Sequence, residues 1–157
     1  MKQSAGILFW KKSEQGLKVF LVHPGGPFWA GKEEHAWDFP KGEVIEGEEL
    51  LNTAIRELSE ETGVDVSVRK RDEFISLGSV KRRDGKEIHL WALEGDWSGL
   101  LICKSMVEIE YPVRSGKKIR FPEVDKAGFF TLEKARKMVY PSLVEFLERL
   151  EEQLRPH

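Results

Sequence analysis

The stretch from Gly42 to Val64 constrains this chain more than any other part of its sequence. It reads GEVIEGEELLNTAIRELSEETGV and contains three glycines, many acids and a single arginine. Its apolar residues recur at helical spacing, which predicts a helix over Glu48–Thr62 that Gly63 ends. The apolar face of this helix consists of Leu50, Leu51, Ala54, Ile55 and Leu58.

Three glutamates, Glu57, Glu60 and Glu61, lie beside this apolar face. At about 100° per residue they project within roughly a third of the helix circumference, so we expect them to meet at the edge of the core. Carboxylates this close raise one another's pKa values unless a divalent cation neutralises them, and magnesium prefers such oxygen ligands. The alternative is a solvated helix face, which glutamates at this spacing usually form when they occur alone. The fixed spacing to the glycines, a further glutamate and the arginine of the same stretch favours a metal site.

Apolar and β-branched runs predict six strands in the rest of the chain. They are Ala5–Trp10, Leu17–Val22, Val64–Val68, Phe74–Val80, Glu87–Leu93 and Leu101–Glu110. The polar segment Lys11–Gly16 predicts a loose turn between the first two, and Asp84-Gly85 is a strong hairpin signal. The prolines and glycines of His23–Ala36 predict a loop with exposed aromatic rings at Phe28 and Trp29.

Two further helices are predicted near the end of the chain. One begins near Thr131, with Glu133 in its first turn, and the other runs from Pro141 to about Leu154. The order of elements predicts an α+β fold with a mixed sheet and helices on its faces. At 157 residues, without repeats or linkers, the chain is expected to form one domain over residues 1–157.

Charge and cysteine content narrow the classes of partner. A formal net charge of −2 gives no global attraction to DNA or to an anionic membrane, so a polyanionic substrate has to be held by local cations or a metal. Cys103 is the only cysteine and lies in an apolar stretch, which favours a packed structural thiol over a nucleophile. The apolar run Ala5–Trp10 is too short for a signal or membrane helix. We therefore expect a cytoplasmic protein with no membrane or DNA partner, and leave open whether it forms a homodimer.

The stretch Gly42–Val64 resembles the Nudix box, Gly-x5-Glu-x7-Arg-Glu-U-x-Glu-Glu-x-Gly-U, in which U is aliphatic. It matches at every defined position. The resemblance implies the α/β/α sandwich of that family, and the order of strands and helices is compatible with this fold over the whole chain. The runs Tyr111–Gly116 and Phe121–Asp125 resemble a bacterial branch described as predicted nucleoside triphosphate pyrophosphohydrolases.

The resemblance also implies a metal site. Glu57, Glu60 and Glu61 would bind Mg2+, with Mn2+ as a substitute, and one of them would deprotonate the attacking water. Gly42 would add its backbone carbonyl as a ligand. Glu123, which precedes the last helical region, is a further candidate ligand or base.

Other polar residues have roles that the sequence leaves open. By the resemblance, Arg56 belongs to the catalytic group, where it and Glu48 would pair with acids or with the loop to hold the helix in register. Glu108 and Glu110, in a predicted strand, compete with Glu123 for the role of additional acid. His89 is interpreted as a strand residue with a satisfied ring and not as a catalytic base.

Candidate substrate-binding groups precede the box. Lys41 lies close enough in sequence to meet a phosphate, and a similar Phe-Pro-Lys-Gly occurs in Nudix branches that act on dinucleoside polyphosphates or diphosphoinositols. Trp37 and Phe39 either stack near a base or pack in the core.

Two basic segments give further candidates. Arg114–Arg120, with Lys117 and Arg120 as its leading candidates, could steer a polyphosphate, as could Lys81–Arg83, or either could be a solvated turn. The region Ser79–Arg82 lacks the proline of ADP-ribose pyrophosphatases and the tyrosine of one diadenosine polyphosphate group, so it does not identify the substrate.

The leading hypothesis from the sequence is a Mg2+-dependent hydrolase that cleaves a phosphoanhydride in a nucleoside diphosphate linked to another group. Nucleoside triphosphates and dinucleoside polyphosphates are the first substrates to consider. One alternative is a nucleotide-binding sensor or regulator without turnover. Another is an RNA 5′-pyrophosphohydrolase, to which the near-neutral charge gives little support.

Overall fold

The computed structural model describes residues 2–156 and contains a six-stranded mixed sheet. Its strands are β1 Gln3–Ser13, β2 Gly16–Pro24, β3 Lys41–Glu43, β4 Ile75–Lys81, β5 Glu87–Glu94 and β8 Val124–Thr131. They run in the order β4-β5-β1-β2-β8, and β3 also pairs with β1. Two shorter strands, β6 Met106–Glu110 and β7 Lys118–Pro122, form a separate antiparallel ribbon.

Strand β1 lies at the centre of the sheet. It pairs in parallel with β5 and antiparallel with β2 and β3, and Ser4–Trp10 are buried. Because successive side chains of a strand point to opposite faces, Ile7 and Phe9 join one core while Leu8 and Trp10 join the other. The sheet is therefore covered on both sides, which confirms the predicted α+β class and the α/β/α sandwich.

Helix α1, Leu50–Thr62, covers one face of the sheet, as the apolar stripe predicted. Leu51, Ala54 and Leu58 are buried in the core on that side. Gly63 adopts φ 84° and its N–H bonds to the Ser59 carbonyl, which ends the helix as predicted.

Two helices cover the other face, α2 Leu132–Met138 and α3 Val144–Leu154. The Thr131 hydroxyl caps α2 by accepting a hydrogen bond from the Lys134 N–H. Pro141 begins a short 3₁₀ turn that leads into α3. Both predicted C-terminal helices are thus confirmed, and none of the helices within residues 2–156 has the length and apolarity needed to cross a membrane.

The turns of the two hairpins differ in how well they were predicted. Asp84-Gly85 lies in the β4–β5 turn, as predicted, and the Gly85 N–H bonds to the Arg82 carbonyl. The β1–β2 turn is tight and not loose, because Ser13 already pairs with Gly16.

Several predicted strands are wrong or incomplete. Val64–Val68 is irregular and ends in a turn at residues 67–68 instead of forming a strand, and the strand predicted over Leu101–Glu110 begins only at Met106. The sequence analysis missed β3, β7 and β8; of these, β7 takes up the end of the predicted basic loop Arg114–Arg120. Glu123 accordingly precedes a strand, β8, and not a helical region. Cys103 is half-buried against the core beneath α1, and its thiol donates to the Ser105 carbonyl.

The loop after β2 is fixed by a buried histidine. His23 is fully buried, with Nδ1 2.7 Å from Asp125 Oδ1 and Nε2 2.7 Å from the Lys32 carbonyl oxygen. These contacts join the loop to β8. At its outer part Phe28 is exposed, as predicted, whereas Trp29 is half-buried against the core.

Candidate active site

The three glutamates of α1 lie at the edge of the core, on the side of the helix that faces β3. Glu57 and Glu61 are 8% and 4% exposed, whereas the Glu60 side chain is 41% accessible. Carboxylates are rarely buried to this degree unless they are paired or bind a metal. The arrangement therefore calls for a compensating positive charge.

Gly42 allows the helix to approach the sheet at this point. It lies in β3 opposite Ala5 of β1, and a Cβ placed on it would lie 2.1 Å from the carboxyl carbon of Glu57. Any larger residue would displace the Glu57 carboxylate. The first glycine of the motif is thus explained by close packing, while the role predicted for its carbonyl stays a prediction.

Arg56 holds the acids together. Its Nε and Nη2 each lie 3.0 Å from a Glu48 carboxylate oxygen, a forked pair that lowers the Glu48 pKa to about 2. Its Nη1 donates to Glu57 at 3.0 Å and to Glu60 at 3.1 Å. Arg56 therefore joins the loop before the helix to two of the three candidate ligands.

The inner carboxyls have perturbed proton affinities. Burial raises the pKa of Glu61 well above its usual value, and the negative charges of Glu123, Asp38 and Glu57 raise it further against the opposing charge of Lys41. Burial also raises the pKa of Glu57, against the opposing charge of Arg56. A bound divalent cation would favour the ionised form of both groups.

The chemistry of these donors fits a hard divalent cation, because all are oxygens and two are buried with raised pKa values. Within the part of the chain that the structure describes, no three histidine, cysteine or carboxylate side chains are grouped so as to hold a metal ion as they stand. The contacts of Arg56 to Glu57 and Glu60 account for the present arrangement of those two carboxylates.

Two acids from outside α1 adjoin the cluster. Glu123 accepts a hydrogen bond from the Ser105 hydroxyl, and its charge acts on both Glu57 and Glu61. Asp38, which the sequence analysis missed, also acts on Glu61. The competing candidates lie elsewhere: Glu108 and Glu110 are exposed on the β6–β7 ribbon.

Asp38 also pairs with Lys41. Lys41 Nζ lies 3.0 Å from Asp38 Oδ2, and both side chains are mostly buried. Burial lowers the pKa of Lys41, but the charge and hydrogen bond of Asp38 outweigh it and the net pKa is raised. Lys41 therefore stays protonated and positively charged beside Glu61. The half-buried phenol of Tyr140 interacts electrostatically with Asp38 and Lys41. Tyr140 is a second residue that sequence reasoning missed.

None of the other predicted substrate residues forms an ion pair with the α1 glutamates within residues 2–156. Trp37 and Phe39 are buried in the core at 4% and 1% exposure, so their rings are not available to stack on a base, and base stacking is corrected to core packing. Lys117 is exposed in the turn of the β6–β7 ribbon, and Arg120 is exposed on β7 opposite Glu108.

The remaining polar candidates have local partners. His89 Nε2 lies 2.8 Å from the Ser76 hydroxyl and its ring stacks on Trp91, which agrees with a satisfied strand histidine. Arg82 forms an ion pair with Asp84 at 3.5 Å, and its positive charge interacts with that of Lys41.

Comparison with known proteins gives the family. A family model described as the NUDIX domain matches residues 2–150, so the chain belongs to the Nudix family, as the complete motif predicted. The predicted hydrolase acting on pyrophosphate bonds agrees with this membership.

Curated relatives match part of the chain. An RNA pyrophosphohydrolase of Caulobacter vibrioides is 49% identical over 51 residues, which are 29% of this chain and 30% of that protein. An RNA pyrophosphohydrolase of Novosphingobium aromaticivorans is 47% identical over 88 residues, 53% of this chain and 48% of that protein. The matched segments thus span less than two thirds of these relatives.

Solved structures share the fold over nearly the whole chain. A C. elegans Ap4A hydrolase binary complex aligns with TM-score 0.68 and 19% identity over 98% of both chains. The NUDIX domain of Shewanella oneidensis NrtR, complexed with ADP ribose, aligns with TM-score 0.65 and 18% identity over 98% of this chain and 88% of that one. At these identities the likeness supports the fold alone.

Proposed function

We propose that this chain is a Mg2+-dependent hydrolase that cleaves a phosphoanhydride bond in a nucleoside diphosphate linked to another group and acts in the cytoplasm as one domain. Nucleoside triphosphates and dinucleoside polyphosphates are the leading substrates. The single observation that carries the proposal is the buried pair Glu57 and Glu61, both with raised pKa values and with Glu57 packed against Gly42. A carboxylate pair with a purely structural role would have little reason to be buried in this way.

The metal would be held by Glu57, Glu60 and Glu61, with the Gly42 carbonyl and Glu123 as further ligands. When bound, it would offset the charge on the phosphate oxygens and lower the pKa of the attacking water. Mn2+ is expected to substitute for Mg2+, because both accept oxygen ligands.

The chain's own residues supply the rest of the reaction. Water attacks one phosphorus, the bond from that phosphorus to the bridging oxygen breaks, and the water's proton passes to one of the three carboxylates. Lys41, fixed by Asp38 beside Glu61, would contact a phosphate oxygen. Arg56 would hold the helix and its acids in register through Glu48.

The test is phosphate release from a panel of nucleotides with Mg2+ and with EDTA. We expect activity only with metal, and a loss of activity in Glu57→Gln and Glu61→Gln. Glu46→Gln, an exposed acid of the preceding loop, is the matched control and should retain activity. Metal-independent turnover, or full activity in both site variants, would refute the proposal.

A second candidate is hydrolysis of 5′-polyphosphorylated RNA, which the names of the curated relatives favour. Its signature would be RNA turnover that exceeds mononucleotide turnover and declines steeply with salt. A sensor without turnover is less well supported, because the acid set of the motif is complete. Calorimetry that found tight nucleotide binding without hydrolysis would favour the sensor instead.

A further inference from the structure

Two exposed aromatic rings meet at the outer end of the β6–β7 ribbon. Phe28, from the loop after β2, and Tyr111, which follows β6, have ring centroids 5.6 Å apart at 85°. They are 50% and 38% exposed. We call this pair the aromatic platform.

The platform is held in place by the backbone on both sides. The Gly25 N–H bonds to the Glu123 carbonyl at 2.9 Å, and the Phe121 ring packs so closely that a Cβ on Gly26 would lie 2.5 Å from it. The Tyr111 N–H bonds to the Lys117 carbonyl at 2.8 Å. The two rings are therefore presented to solvent by fixed segments.

Positive charge accompanies the rings. On β6 and β7, acids and bases face each other: Glu108 lies opposite Arg120, and Glu110 lies opposite Lys118. The turn that joins the strands, residues 111–117, contains cations and no acid. Its two cations, Arg114 and Lys117, take part in no ion pair with any residue from 2 to 156.

The platform lies at a defined distance from the candidate active site. Glu123 and Ser105 stand at the inner end of the ribbon, where the Glu123 N–H bonds to the Ser105 carbonyl. Tyr111 is six residues further along the strand, or about 20 Å at the rise of an extended chain. One nucleotide does not span the distance to Tyr111, so a base at that ring would belong to a nucleotide further along a chain or to the second nucleoside of a dinucleoside polyphosphate, and the test below distinguishes the two.

We propose that the aromatic platform, with Arg114 and Lys117, binds single-stranded RNA downstream of a 5′ end that lies among the acids of α1. Aromatic faces stack on unpaired bases, and nearby cations follow the phosphodiester backbone. A near-neutral chain can hold such a polyanion because the contact is local. This inference deepens the second candidate function, hydrolysis of 5′-polyphosphorylated RNA, and rests on the proposed acid site for the position of the 5′ end.

The test compares RNA binding and turnover in matched variants. A fluorescently labelled RNA hexamer with a 5′ triphosphate would be titrated with the parent protein and with Phe28→Ala and Tyr111→Ala. We expect each truncation to weaken RNA binding about tenfold, as loss of one stacked base implies, and to leave the KM for a nucleoside triphosphate unchanged. Tyr111→Phe keeps the ring and should restore binding.

Charge and folding are controlled within the same turn. Arg114→Gln and Lys117→Gln should each reduce the slope of log Kd against log salt by about 0.7. Val113→Ala is the matched control, because Val113 is 70% exposed in this turn and has neither a ring nor a charge. Its RNA binding should equal that of the parent.

The outcomes separate this inference from the proposed function. If nucleotides and RNA are hydrolysed and neither ring truncation weakens RNA binding, the platform proposal is overturned and the hydrolase stands. Preference for a dinucleoside polyphosphate over RNA would also overturn it. If hydrolysis is absent but RNA still binds through Phe28 and Tyr111, the surface is supported and the hydrolase is refuted.

Discussion

Replacing Gly42 with alanine tests directly whether the contact between β3 and α1 exists for catalysis. The new Cβ would lie 2.1 Å from the Glu57 carboxyl carbon, whereas an ordinary contact needs at least 3.4 Å. The carboxylate would therefore have to move by about 1.3 Å. Because the displaced atoms are the end of a flexible side chain, the fold should lose only about 1 kcal/mol, the low end of the range for overpacking.

The effect on activity should be much larger than the effect on stability. Displacement of a catalytic group by about 1 Å can lower the rate about 100-fold. A loss of 1 kcal/mol lowers the Tm of a chain of this size by only about 2–4 °C. Gly42→Ala should thus be folded and nearly inactive.

The assay measures kcat/KM for a nucleoside triphosphate at saturating Mg2+, together with thermal unfolding. Gly95→Ala is the control, because its Cβ would lie 2.3 Å from the Phe9 ring, a comparable clash away from the acids. It should lose stability and keep activity at temperatures where it is folded. Full activity in Gly42→Ala, or equal loss of activity in folded Gly95→Ala, would refute the reasoning.

Three further substitutions probe single contacts by thermal unfolding. Because the pKa of Glu61 is raised, its charge opposes folding of the metal-free protein as pH rises above the usual range of a glutamate. Glu61→Gln should therefore raise Tm relative to the parent, by more as pH rises, and abolish stabilisation by Mn2+. A Tm below that of the parent at the higher pH would contradict this. Arg56→Lys loses the forked contact to Glu48 and should cost about 1 kcal/mol, and unchanged stability would show that the fork is dispensable. His23→Ala leaves a cavity and removes the partner of two acceptors, Asp125 and the Lys32 carbonyl, so it should lower the free energy of unfolding by about 2–4 kcal/mol. The exposed control Val68→Ala should change stability little. Similar effects of the two substitutions would argue against a structural histidine.

Helix α1 could be predicted because its pattern is local. Apolar spacing, a terminal Gly63 and acids beside the stripe are all visible within one short stretch, and the structure reproduces each of them. The contact of Gly42 with Glu57 was not visible, because it depends on β3, which is only three residues long and is stabilised by pairing with β1.

The errors have identifiable physical causes. Val64–Val68 alternates like a strand, but the Asp65 carboxylate accepts the Ser67 N–H and turns the chain, which leaves Val68 89% exposed. Strand β8 was missed because Asp125 and Lys126 interrupt its apolar pattern, and its pairing with β2 overrides that local signal.

Asp38 shows why parts of the candidate site are invisible in sequence. Its neighbour Trp37 forms a bridge with Val139, about a hundred residues later, and this contact places Asp38 beside Tyr140. Neither spacing nor composition predicts such a meeting. A single sequence reveals the acids of one helix more readily than the groups that long-range pairing adds to them.

The guanidinium of Arg56 supplies the acid cluster with a counter-ion that belongs to the polypeptide itself. Proteins whose metal ligands repel one another commonly unfold when a chelator removes the metal. Here Glu48, Glu57 and Glu60 all pair with Arg56, so the fold should persist when the divalent ion is removed and bind the ion again when it is returned. The concentration of divalent ion would then control turnover without unfolding the protein.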